Sequence, residues 1–517
     1  MISDTGKTVS VWMATADVPK YPVLTQDESA DVCVVGGGIA GLTTANKLAA
    51  AGRSVIVLER GQIACGDSGR TTGHLSNAID DRYVELERVH GRDRARLAAE
   101  SHTAAIDEIG RICAAEGIRC GYERIDGFLF CAPGDDTRIL HEELAAAHRA
   151  GLTDVLLVDR APGMGFDTGP ALMFPRQGQL HIVEYLAGLA AAITRLGGRI
   201  YMGTHVRRVD GGRPAKVAAE SGATVACDAV VVATNTPIND VVTIHTEQAP
   251  YRTYAVGMRI PPGDAARALY WDTLEMYHYV RFASGDGDVG DLLIVGGEDH
   301  KTGQADEYDR RYAALENWTR ERFPQAGPPE FRWSGQVMET MDYLAFIGRN
   351  PGDADNVFIA TGDSGHGMTH GTLAGMILTD LILGNPNPWA GLYDPARVRT
   401  SAAAEWLREN VNAAAQYADY VTPGDVDSVD EIARGEGAVL RRGLGKVAAY
   451  RDEAGALHEC SAVCTHAGGI VHWNAGEKCW ECPVHGSRFD AFGGVVGGPA
   501  AKDLEPVRPE QPAPTQG

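Results

Sequence analysis

The stretch Asp31-Val32-Cys33-Val34-Val35-Gly36-Gly37-Gly38-Ile39-Ala40-Gly41 decides the fold of the larger part of this chain. A short apolar run leads into three spaced glycines, helix-forming residues continue to Ala51, and a second apolar run ends at Glu59. The pattern predicts a strand, a glycine-rich turn, a helix and a second strand, which together form a βαβ unit.

The spacing of Gly36, Gly38 and Gly41 is typical of a dinucleotide-binding turn. The first glycine permits the tight turn, the second lets the backbone approach a pyrophosphate, and the third lets the helix pack against the sheet. The helix N-terminus attracts the phosphate charge, and Glu59 is placed to accept hydrogen bonds from an adenosine ribose. The turn predicts a dinucleotide cofactor but does not by itself distinguish NAD from FAD.

The length and composition of the chain limit the classes of protein to consider. Its 517 residues suffice for two to four domains, and 44% hydrophobic with 22% charged residues exclude general disorder. With 47 Lys+Arg against 69 Asp+Glu, the net charge of −22 argues against binding to nucleic acid or to a membrane surface. The first residues lack the pattern of a signal peptide, and no apolar run is long enough to span a bilayer. We therefore expect a cytoplasmic protein.

Between about residues 245 and 335 the pattern changes to alternating, aromatic-rich runs. Such runs predict an antiparallel sheet, which we expect to form the wall of a substrate pocket. The candidate catalytic residues are Tyr254, His278, Arg281, His74 and Tyr343, with Arg252, Tyr277 and Tyr279 as further pocket candidates. Arg252 or Arg281 could bind a substrate carboxylate in bidentate fashion. Alternatively, these tyrosines and arginines could serve only sheet packing and the solvent-facing surface.

A second strand-to-glycine-to-helix junction, Thr361-Gly362-Asp363-Ser364-Gly365-His366-Gly367-Met368, lies near the end of the large domain. A helix N-terminus here can stabilise the negative charge that develops on a reduced isoalloxazine ring, which favours FAD. The chain resembles the D-amino-acid-oxidase-like superfamily of FAD enzymes, which includes sarcosine, glycine and γ-glutamylputrescine oxidases. The resemblance covers about residues 28–390 and rests on this junction and on Gly36 to Gly41, Glu59-Arg60-Gly61, Asp67 to His74, Arg332-Trp333-Ser334-Gly335 and Ile347-Gly348-Arg349.

The resemblance implies a set of FAD-binding residues. Ser68 to Thr71 would lie along the ribityl chain and the ring, Val206 would hold the adenine through its backbone, and Gly365 to Met368 would face the pyrimidine edge of the flavin. The complete set is Gly36, Gly38, Ile39, Ala40, Gly41, Glu59, Arg60, Ser68, Gly69, Arg70, Thr71, Val206, Thr234, Gly365, His366, Gly367 and Met368. Because residues 362–371 contain no cysteine and Cys65 is not at a known tethering position, we expect non-covalent FAD.

The C-terminal part contains two short loops that carry potential metal ligands. Cys464-Thr465-His466 and Cys482-Pro483-Val484-His485 are separated by the fifteen residues 467 to 481. One cysteine and one histidine on each loop resemble a Rieske [2Fe–2S] site, with Cys464 and Cys482 on one iron and His466 and His485 on the other. A Cys₂His₂ zinc site is the alternative, although zinc fingers usually group the two cysteines before the two histidines.

The two loops depart from the respiratory Rieske type. Where that type has a second cysteine in each loop, joined as a disulfide, this chain has Gly469 and Val484. Phe489 replaces the tyrosine that would donate a hydrogen bond to a ligand sulfur, and Ser487 remains as a donor. With fewer hydrogen bonds to sulfur, we expect a potential toward the low end of roughly −150 to +300 mV.

Asp363, His366 and His370 also form an Asp-x₂-His-x₃-His pattern, which is reminiscent of the mononuclear iron site of Rieske oxygenases. That interpretation would make the protein a dioxygenase. In oxygenases, however, the Rieske module comes first in the chain, whereas here it comes last. The flavin segment already accounts for the same residues.

The fold class that follows is an α/β FAD-binding domain of the Rossmann-like, glutathione-reductase type, interleaved with an antiparallel-sheet substrate domain and followed by a small all-β Rieske domain. We assign residues 28–95, 165–244 and 336–398 to the FAD domain and residues 96–164 and 245–335 to the substrate domain. Residues 399–429 form a helix and linker, and residues 430–510 form the Rieske domain.

One flavin and one cluster in a single chain imply transfer between a two-electron and a one-electron carrier. Our first hypothesis is oxidation of the C–N bond of an amine or amino acid, with electrons relayed through the cluster to a redox partner protein or O₂. In the second, a ferredoxin-like donor feeds the cluster and the flavin performs a reduction or monooxygenation. In the third, the module is a structural or redox-sensing part of an ordinary oxidase.

Overall fold

The computed structural model describes residues 6–239, 244–261, 267–283, 291–398 and 400–507. In these residues the helices are α1 (Val11–Thr15), α2 (Ile39–Ala50), α3 (Arg82–His90), α4 (Arg92–Glu116), α5 (Arg138–Arg149), α6 (Ile182–Arg195), α7 (Tyr308–Arg322), α8 (Gly367–Leu383), α9 (Ala390–Tyr393) and α10 (Ala403–Ala415). Within the same ranges, no helix has both the length and the apolar character needed to cross a membrane.

The strands of the two large domains are β1 (Glu28–Val35), β2 (Val55–Leu58), β3 (His74–Leu75), β4 (Glu123–Phe130), β5 (Leu156–Val158), β6 (Ala171–Gln179), β7 (Arg199–Tyr201), β8 (Val206–Asp210), β9 (Ala215–Ala219), β10 (Thr224–Val232), β11 (Gln248–Arg259), β12 (Ala268–Asp272), β13 (Tyr279–Ala283), β14 (Leu292–Lys301), β15 (Pro329–Thr340), β16 (Phe346–Arg349) and β17 (Val357–Thr361). Those of the C-terminal module are β18 (Glu436–Arg442), β19 (Gly445–Arg451), β20 (Leu457–Ser461), β21 (His472–Asn474), β22 (Cys479–Glu481), β23 (Arg488–Asp490) and β24 (Val495–Gly497).

The first sheet confirms the predicted α/β domain. Its main path runs β16-β17-β10-β1-β2-β7, and every neighbouring pair is parallel except the edge pair of β16 and β17. Every residue of β2 and of β17 is buried, as expected for parallel strands in a sheet with apolar cover on both faces. Because β1, β10 and β17 run parallel, the glycine-rich turn after β1 and the junction after β17 lie at the same end of this sheet.

Glycines permit the close contacts at this edge of the sheet. Gly36 has φ +114°, a conformation that favours glycine, and a Cβ added to Gly41 would strike the carbonyl oxygen of Gly36. Helix α8 crosses α2 at Gly371 and Gly375, where an added Cβ would strike Ile39 and Thr43 respectively. Small residues therefore set the spacing of the two helices that begin at the predicted cofactor segments.

The second sheet confirms the antiparallel domain and extends it. Its path is β15-β11-β14-β13-β12-β4-β6-β3, with β5 beside β6 and a single parallel pair, β4 with β12. The antiparallel ladder between β4 and β6 places Ala171–Gln179 in this sheet, although we had assigned residues 165–244 to the FAD domain. The boundary is therefore better placed after Gln179.

The C-terminal module is all-β, as predicted. It consists of the three-stranded sheet β18-β19-β20 and the four-stranded sheet β21-β22-β23-β24, both antiparallel. Helix α10 and a following 3₁₀ helix, Gln416–Tyr420, connect it to the flavin domain. In the flavin part, α3 and α4 follow each other directly, and Gly91 separates them with φ +80°.

Candidate functional site

A cavity of about 850 Å³ lies where residues of both large sheets meet. Its lining includes most residues predicted for the cofactor, namely Gly36, Gly38, Ile39, Ala40, Glu59, Arg60, Ser68, Arg70, Thr71, Val206, Thr234, Gly365, His366, Gly367 and Met368. Gly41 and Gly69 lie outside the lining, and a Cβ added to Gly69 would strike the carbonyl oxygen of Ala64. The volume is in the range of pockets that bind cofactors.

The N-terminus of α2 provides the phosphate-binding end of this cavity. Gly38 is the N-cap and makes no side-chain capping bond, and the Ile39 N–H donates to Ser68 Oγ at 3.1 Å. The Glu59 carboxylate accepts from the Gly37 N–H at 2.6 Å and from the Gly61 N–H at 2.8 Å. Because a Cβ on Gly38 would come within 2.9 Å of Ser68 Oγ, this concave backbone requires glycine and fits a pyrophosphate.

The N-terminus of α8 provides the opposite end, where the resemblance places the pyrimidine edge of the flavin. His366 is its N-cap, and His366 Nε2 lies 3.0 Å from Asp80 Oδ1. The Tyr277 hydroxyl donates to Asp80 Oδ2 at 2.5 Å. Burial lowers the pKa of His366, but Asp80 and the nearby carboxylates outweigh burial and hold this pKa above its ordinary value. The positive charge of protonated His366 and the N-terminus of α8 together favour an anionic group at this end of the cavity.

Four predicted pocket residues, His74, Tyr277, Tyr279 and Tyr343, form an aromatic wall beside this end. His74, Tyr279 and Tyr343 line the cavity, and the His74 and Tyr279 rings meet edge-on at 5.6 Å. Burial lowers the pKa of His74 to about 3, so its imidazole is neutral at pH 7. Tyr279 shares a hydrogen bond of 2.8 Å with Thr253 Oγ1. This part of the wall therefore presents aromatic rings together with polar groups that hydrogen bonds hold in place.

The structure corrects the assignment of Tyr254 and His278, which are outside the cavity lining. The Tyr254 hydroxyl is 2.9 Å from His300 Nε2, and His278 stacks on Trp318 with ring centroids 4.4 Å apart. Successive residues of a strand face opposite sides of the sheet. Thr253 faces the cavity, so Tyr254 on the same strand points into the core behind it, and His278, which precedes β13, packs on Trp318 of α7.

The structure also corrects the prediction that Arg252 or Arg281 binds a substrate carboxylate. Arg281 Nη1 donates to the carbonyl oxygens of Thr72 and Gly73 at 3.0 and 2.8 Å, and its guanidinium packs over the Trp12 ring. Arg252 forms a fully buried ion pair with Glu481 of the C-terminal module. Neither side chain lines the cavity.

Carboxylates dominate the wall near the aromatic side chains. Those that line it are Asp80, Asp81, Glu85, Asp299, Glu339 and Glu405. Burial raises the pKa of Asp299 to about 7, and Oδ1 of this side chain is buried without a hydrogen-bond partner among the described residues. The wall therefore attracts cations and disfavours anions.

The two loops of the C-terminal module bring the four predicted ligands together. The Cys464 thiol accepts hydrogen bonds from the His466 and Ala467 backbone and from the Ser487 hydroxyl. The Cys482 thiol accepts from the backbone of Val484 and His485. The His466 and His485 rings meet edge-on at 5.0 Å. Nδ1 of His485 is buried and makes no hydrogen bond within the described part of the chain, which fits a metal-ligating nitrogen.

This donor set fits a [2Fe–2S] cluster, in which each iron takes two protein ligands. In the ranges that the structure describes, no three His, Cys, Asp or Glu side chains are placed to hold one metal ion. A Cys₂His₂ zinc site would require four such groups around one ion. The interpretation of Asp363, His366 and His370 as an iron site is disfavoured for the same reason, and His370 Nε2 instead lies 3.2 Å from His102 Nε2.

The predicted departures from the respiratory type have a clear structural basis. A Cβ on Gly469 would lie 2.5 Å from Val484 Cγ2, so the two residues pack directly against each other. Cys460 and Cys479 are buried, and all ten cysteines are free thiols. The loops are therefore held together by packing, without a disulfide.

The histidine edge of the cluster site faces the flavin domain. His245, on a 3₁₀ turn before β11, packs edge-on against His466 with ring centroids 4.7 Å apart, and its centroid is 5.7 Å from that of His485. Gln336, which lines the cavity, donates through Nε2 to the Gly486 carbonyl at 3.0 Å. Gln336 thus connects the cavity wall to the residue next to a cluster ligand.

Buried ion pairs hold the module against the flavin domain. Besides Arg252 with Glu481, Arg70 Nη1 lies 3.3 Å from Glu477 Oε1, and Arg488 Nη2 lies 2.9 Å from Asp67 Oδ2. Arg70, which lines the cavity as predicted for a flavin-binding residue, also places its guanidinium in this interface. A buried ion pair is favourable only when its two charged groups are well placed against each other. These pairs therefore indicate that the C-terminal module is docked in one fixed position.

Sequence reasoning missed the residues that support the first cluster loop. The Tyr417 hydroxyl donates to the Ala467 carbonyl at 2.8 Å, and the Tyr420 hydroxyl donates to the Gly468 carbonyl at 2.7 Å. Both tyrosines belong to the segment that we described only as a helix and linker. The available signal in the sequence was that the two tyrosines are three positions apart, which places them on the same side of one helical turn.

A flavoenzyme is the class that the fold and the cavity define, and the C-terminal module adds a Rieske [2Fe–2S] cluster to it. The chain belongs to the family of FAD dependent oxidoreductases known as DAO, whose family model matches residues 31–381, and a Rieske [2Fe–2S] domain model matches residues 422–508. FAD and a [2Fe–2S] cluster are therefore its cofactors.

Relatives agree with this assignment. The chain is 30% identical over 501 residues to the Rieske 2Fe–2S iron–sulfur protein YhfW of Bacillus subtilis (strain 168), which covers 96% of this chain and 97% of that protein. It is 29% identical to γ-glutamylputrescine oxidoreductase of Escherichia coli (strain K12), over 74% of this chain and 90% of that enzyme. The fold is similar to that of glycine oxidase from Geobacillus kaustophilus, with a TM-score of 0.60 and 19% identity over 72% of this chain and 99% of that one.

Proposed function

We propose that this enzyme oxidises the C–N bond of an amine and passes the electrons from the flavin through the Rieske cluster to an acceptor. The observation that carries the proposal is the orientation of the cluster site. Its histidine edge packs against His245 of the flavin domain, and Gln336 bonds the cavity wall to the second cluster loop. An orientation of this kind favours exchange of electrons within the chain.

The cofactors supply the redox chemistry, and the chain supplies binding and shielding. When bound, FAD would supply a hydride acceptor for the carbon next to the amine nitrogen, and a [2Fe–2S] cluster held by Cys464, His466, Cys482 and His485 would supply one-electron transfer. Tyr277, Tyr279 and Tyr343 exclude water from the place where the substrate lies. The imine product is then hydrolysed in water.

Within the amine and amino-acid class, the wall favours an amine. Arg252 and Arg281 are committed to Glu481 and to backbone carbonyls, which removes the two expected partners of a substrate carboxylate. The carboxylates on the wall would attract an ammonium group and repel a carboxylate. The relative named for γ-glutamylputrescine supports the same choice.

We assign Asp299 as the group that accepts the proton of the substrate ammonium, since hydride transfer requires a neutral amine. Asp299 lines the cavity next to Thr253, which is hydrogen bonded to Tyr279. A carboxylate in this place can take the proton while the aromatic wall excludes water.

Anaerobic mixing of the purified enzyme with an amine tests the proposal. Diamines, monoamines and the matched amino acids are compared, and flavin absorbance and the cluster EPR signal are followed over time. Flavin bleaching by amines followed by a rhombic [2Fe–2S] signal is the expected result.

Two other outcomes would contradict the proposal. Bleaching with a persistently oxidised cluster would assign the module a structural or redox-sensing role. No bleaching by any amine, with cluster reduction by a ferredoxin-like donor, would reverse the direction of electron flow. Comparison of O₂ with a one-electron dye as acceptor then identifies the kind of oxidant that the enzyme uses.

A further inference from the structure

The FAD cavity is lined by residues of two modules. Most of its lining comes from the flavin domain, but six residues belong to the Rieske module: Arg488, Val495, Val496, Gly497, Gly498 and Ala500. The family model for FAD dependent oxidoreductases ends at residue 381, so it assigns none of these residues to the cofactor.

Strand β24 and the loop after it bring the module's backbone to the cavity. Gly498 has φ +82°, and a Cβ there would lie 2.5 Å from the Gly486 carbonyl oxygen. A Cβ on Gly497 would lie 3.0 Å from Arg488 Nη2. Two successive glycines therefore let the backbone at the cavity pack against Gly486 and leave room for the Arg488 guanidinium beside it.

Direct hydrogen bonds attach this segment to the part of the cavity that binds the dinucleotide. Arg60, which follows Glu59 at the ribose end, donates through Nη2 to the Val496 carbonyl at 2.6 Å. Arg488 donates to Asp67 Oδ2 at 2.9 Å, and Asp67 precedes Ser68, which bonds the N-terminus of α2. Arg488 is 2% exposed, so it contributes a buried positive charge close to the expected pyrophosphate.

Contacts between Arg207 and residues 501–503, here called the tether, hold the end of the same segment outside the cavity. Arg207 on β8 donates to the Ala501 carbonyl, and its Nη2 lies 3.7 Å from Asp503 Oδ2. Arg207 does not line the cavity. Its neighbour Arg208 forms an exposed ion pair of 2.8 Å with Asp210 on the same strand and makes no hydrogen bond or ion pair with the module within the described residues.

We propose that the Rieske module is part of the FAD-binding site, so that FAD is enclosed between the two modules and leaves only when the module undocks. The Arg488 guanidinium and the backbone of residues 496–498 bind the dinucleotide half of FAD. The module therefore has a second role beside electron transfer, and this role is independent of the direction in which electrons flow.

Release of FAD from the oxidised holoenzyme, without substrate, tests this proposal. The rise of free-FAD fluorescence after large dilution of the holoenzyme reports the dissociation rate. Arg488→Met removes a cavity contact, whereas Arg207→Met loosens the tether and removes the ion pair of Arg207 with Glu220, neither of which is in the cavity lining. Since a hydrogen bond to a charged group contributes about 1.5–3 kcal/mol, each variant is expected to release FAD about tenfold faster or more.

Arg208→Met is the matched control on the same strand and should release FAD at the rate of the unchanged protein. The EPR signal of the reduced cluster, measured for every variant, shows that the module remains folded and loaded. Unchanged FAD release by both Arg488→Met and Arg207→Met, with an intact cluster signal, would overturn the proposal. Because no substrate is present, this result is separate from success or failure of the proposed amine oxidation.

Discussion

His245 is the flavin-domain residue that contacts both cluster histidines, and it is only 2% exposed. His245→Phe keeps an aromatic ring against His466 and His485 but removes the polar ring nitrogens. We expect the cluster to remain at full occupancy while its midpoint potential shifts by tens of millivolts, because groups around the ligands tune the metal centre.

Redox titration followed by EPR measures both quantities for His245→Phe. His141→Phe, at an exposed position on α5, is the control and should leave the potential and g-values unchanged. An unaltered potential and spectrum in His245→Phe would show that the contact has no electronic effect.

Asp299 gives a pH dependence that can be measured. Its pKa is raised by burial to about 7, so the side chain is largely protonated at pH 6 and ionised at pH 8. If it accepts the substrate proton, kcat/KM should rise with pH through about 7. Asp299→Asn should lose this step and about a hundredfold or more in rate, as for other general bases.

The rate of flavin bleaching from pH 5.5 to 9 gives this profile. Glu330→Gln, a change of carboxylate to amide on the exposed part of β15, is the control and should keep the step. A pH profile of Asp299→Asn identical to that of the unchanged protein would assign the step to another group.

At the residue scale, the sequence identifies ligands better than it identifies pocket residues. Cys464, His466, Cys482 and His485 are recognisable because ligand chemistry requires particular side chains at short spacing. Tyr277, His278 and Tyr279 are three consecutive ring-bearing residues at the start of β13, so the sequence shows no alternation that would indicate which ring meets the cavity. For this reason His278 was chosen together with residues that do line the wall.

At the scale of elements, the crossing of α2 and α8 depends on glycine. A Cβ on Gly375 would strike Thr43, so Gly375→Ala should force the helices apart and lower the free energy of unfolding by about 1–3 kcal/mol. Because both helices begin at cofactor segments, FAD affinity should fall as well.

Gly391→Ala is the same substitution at a helical position with no atom within 4 Å of the added Cβ. It should leave the stability unchanged or raise it by up to about 1 kcal/mol. Urea unfolding of both variants gives the comparison, and equal stabilities would show that α8 can shift without cost.

Most elements were predictable because their apolar periods are strong, as in β1, α2 and β17. The division between α3 and α4 was not, since a glycine inside a helical pattern costs only about 1 kcal/mol and does not by itself indicate a break. The sequence also places residues 171–179 in the FAD domain, because the polar second half of β6 has no period that would show which sheet this strand joins.

At the scale of the whole molecule, the buried pair of Arg252 and Glu481 joins the two modules. Arg252→Met leaves Glu481 buried without its partner and should destabilise the protein by about 3–5 kcal/mol. The double variant Arg252→Met with Glu481→Met should recover much of this loss, since no buried charge remains unpaired.

Thermal unfolding of the single and double variants measures the effect. Arg442→Met, which removes an exposed pair with Glu459 on the module, should cost about 0–1 kcal/mol. If Arg252→Met were as stable as Arg442→Met, the buried pair of Arg252 and Glu481 would not be what holds the two modules together.

The division into a flavin part and a cluster part followed from the sequence, but their docking did not. Arg252 and Glu481 lie 229 positions apart, and a pair at this separation leaves no periodic or local signal. A buried arginine on an aromatic strand is indistinguishable in sequence from a substrate-binding arginine. The interface between the flavin part and the Rieske module is therefore visible only in the structure.

The packing of Gly469 against Val484 has a consequence for how the protein is assembled in the cell. Loops closed by shape alone need no thiol oxidant, no disulfide isomerase and no particular order of covalent steps. Iron and sulfide delivery is the one chemical event needed to complete the cluster site. A reducing agent should therefore leave this contact between the two loops intact.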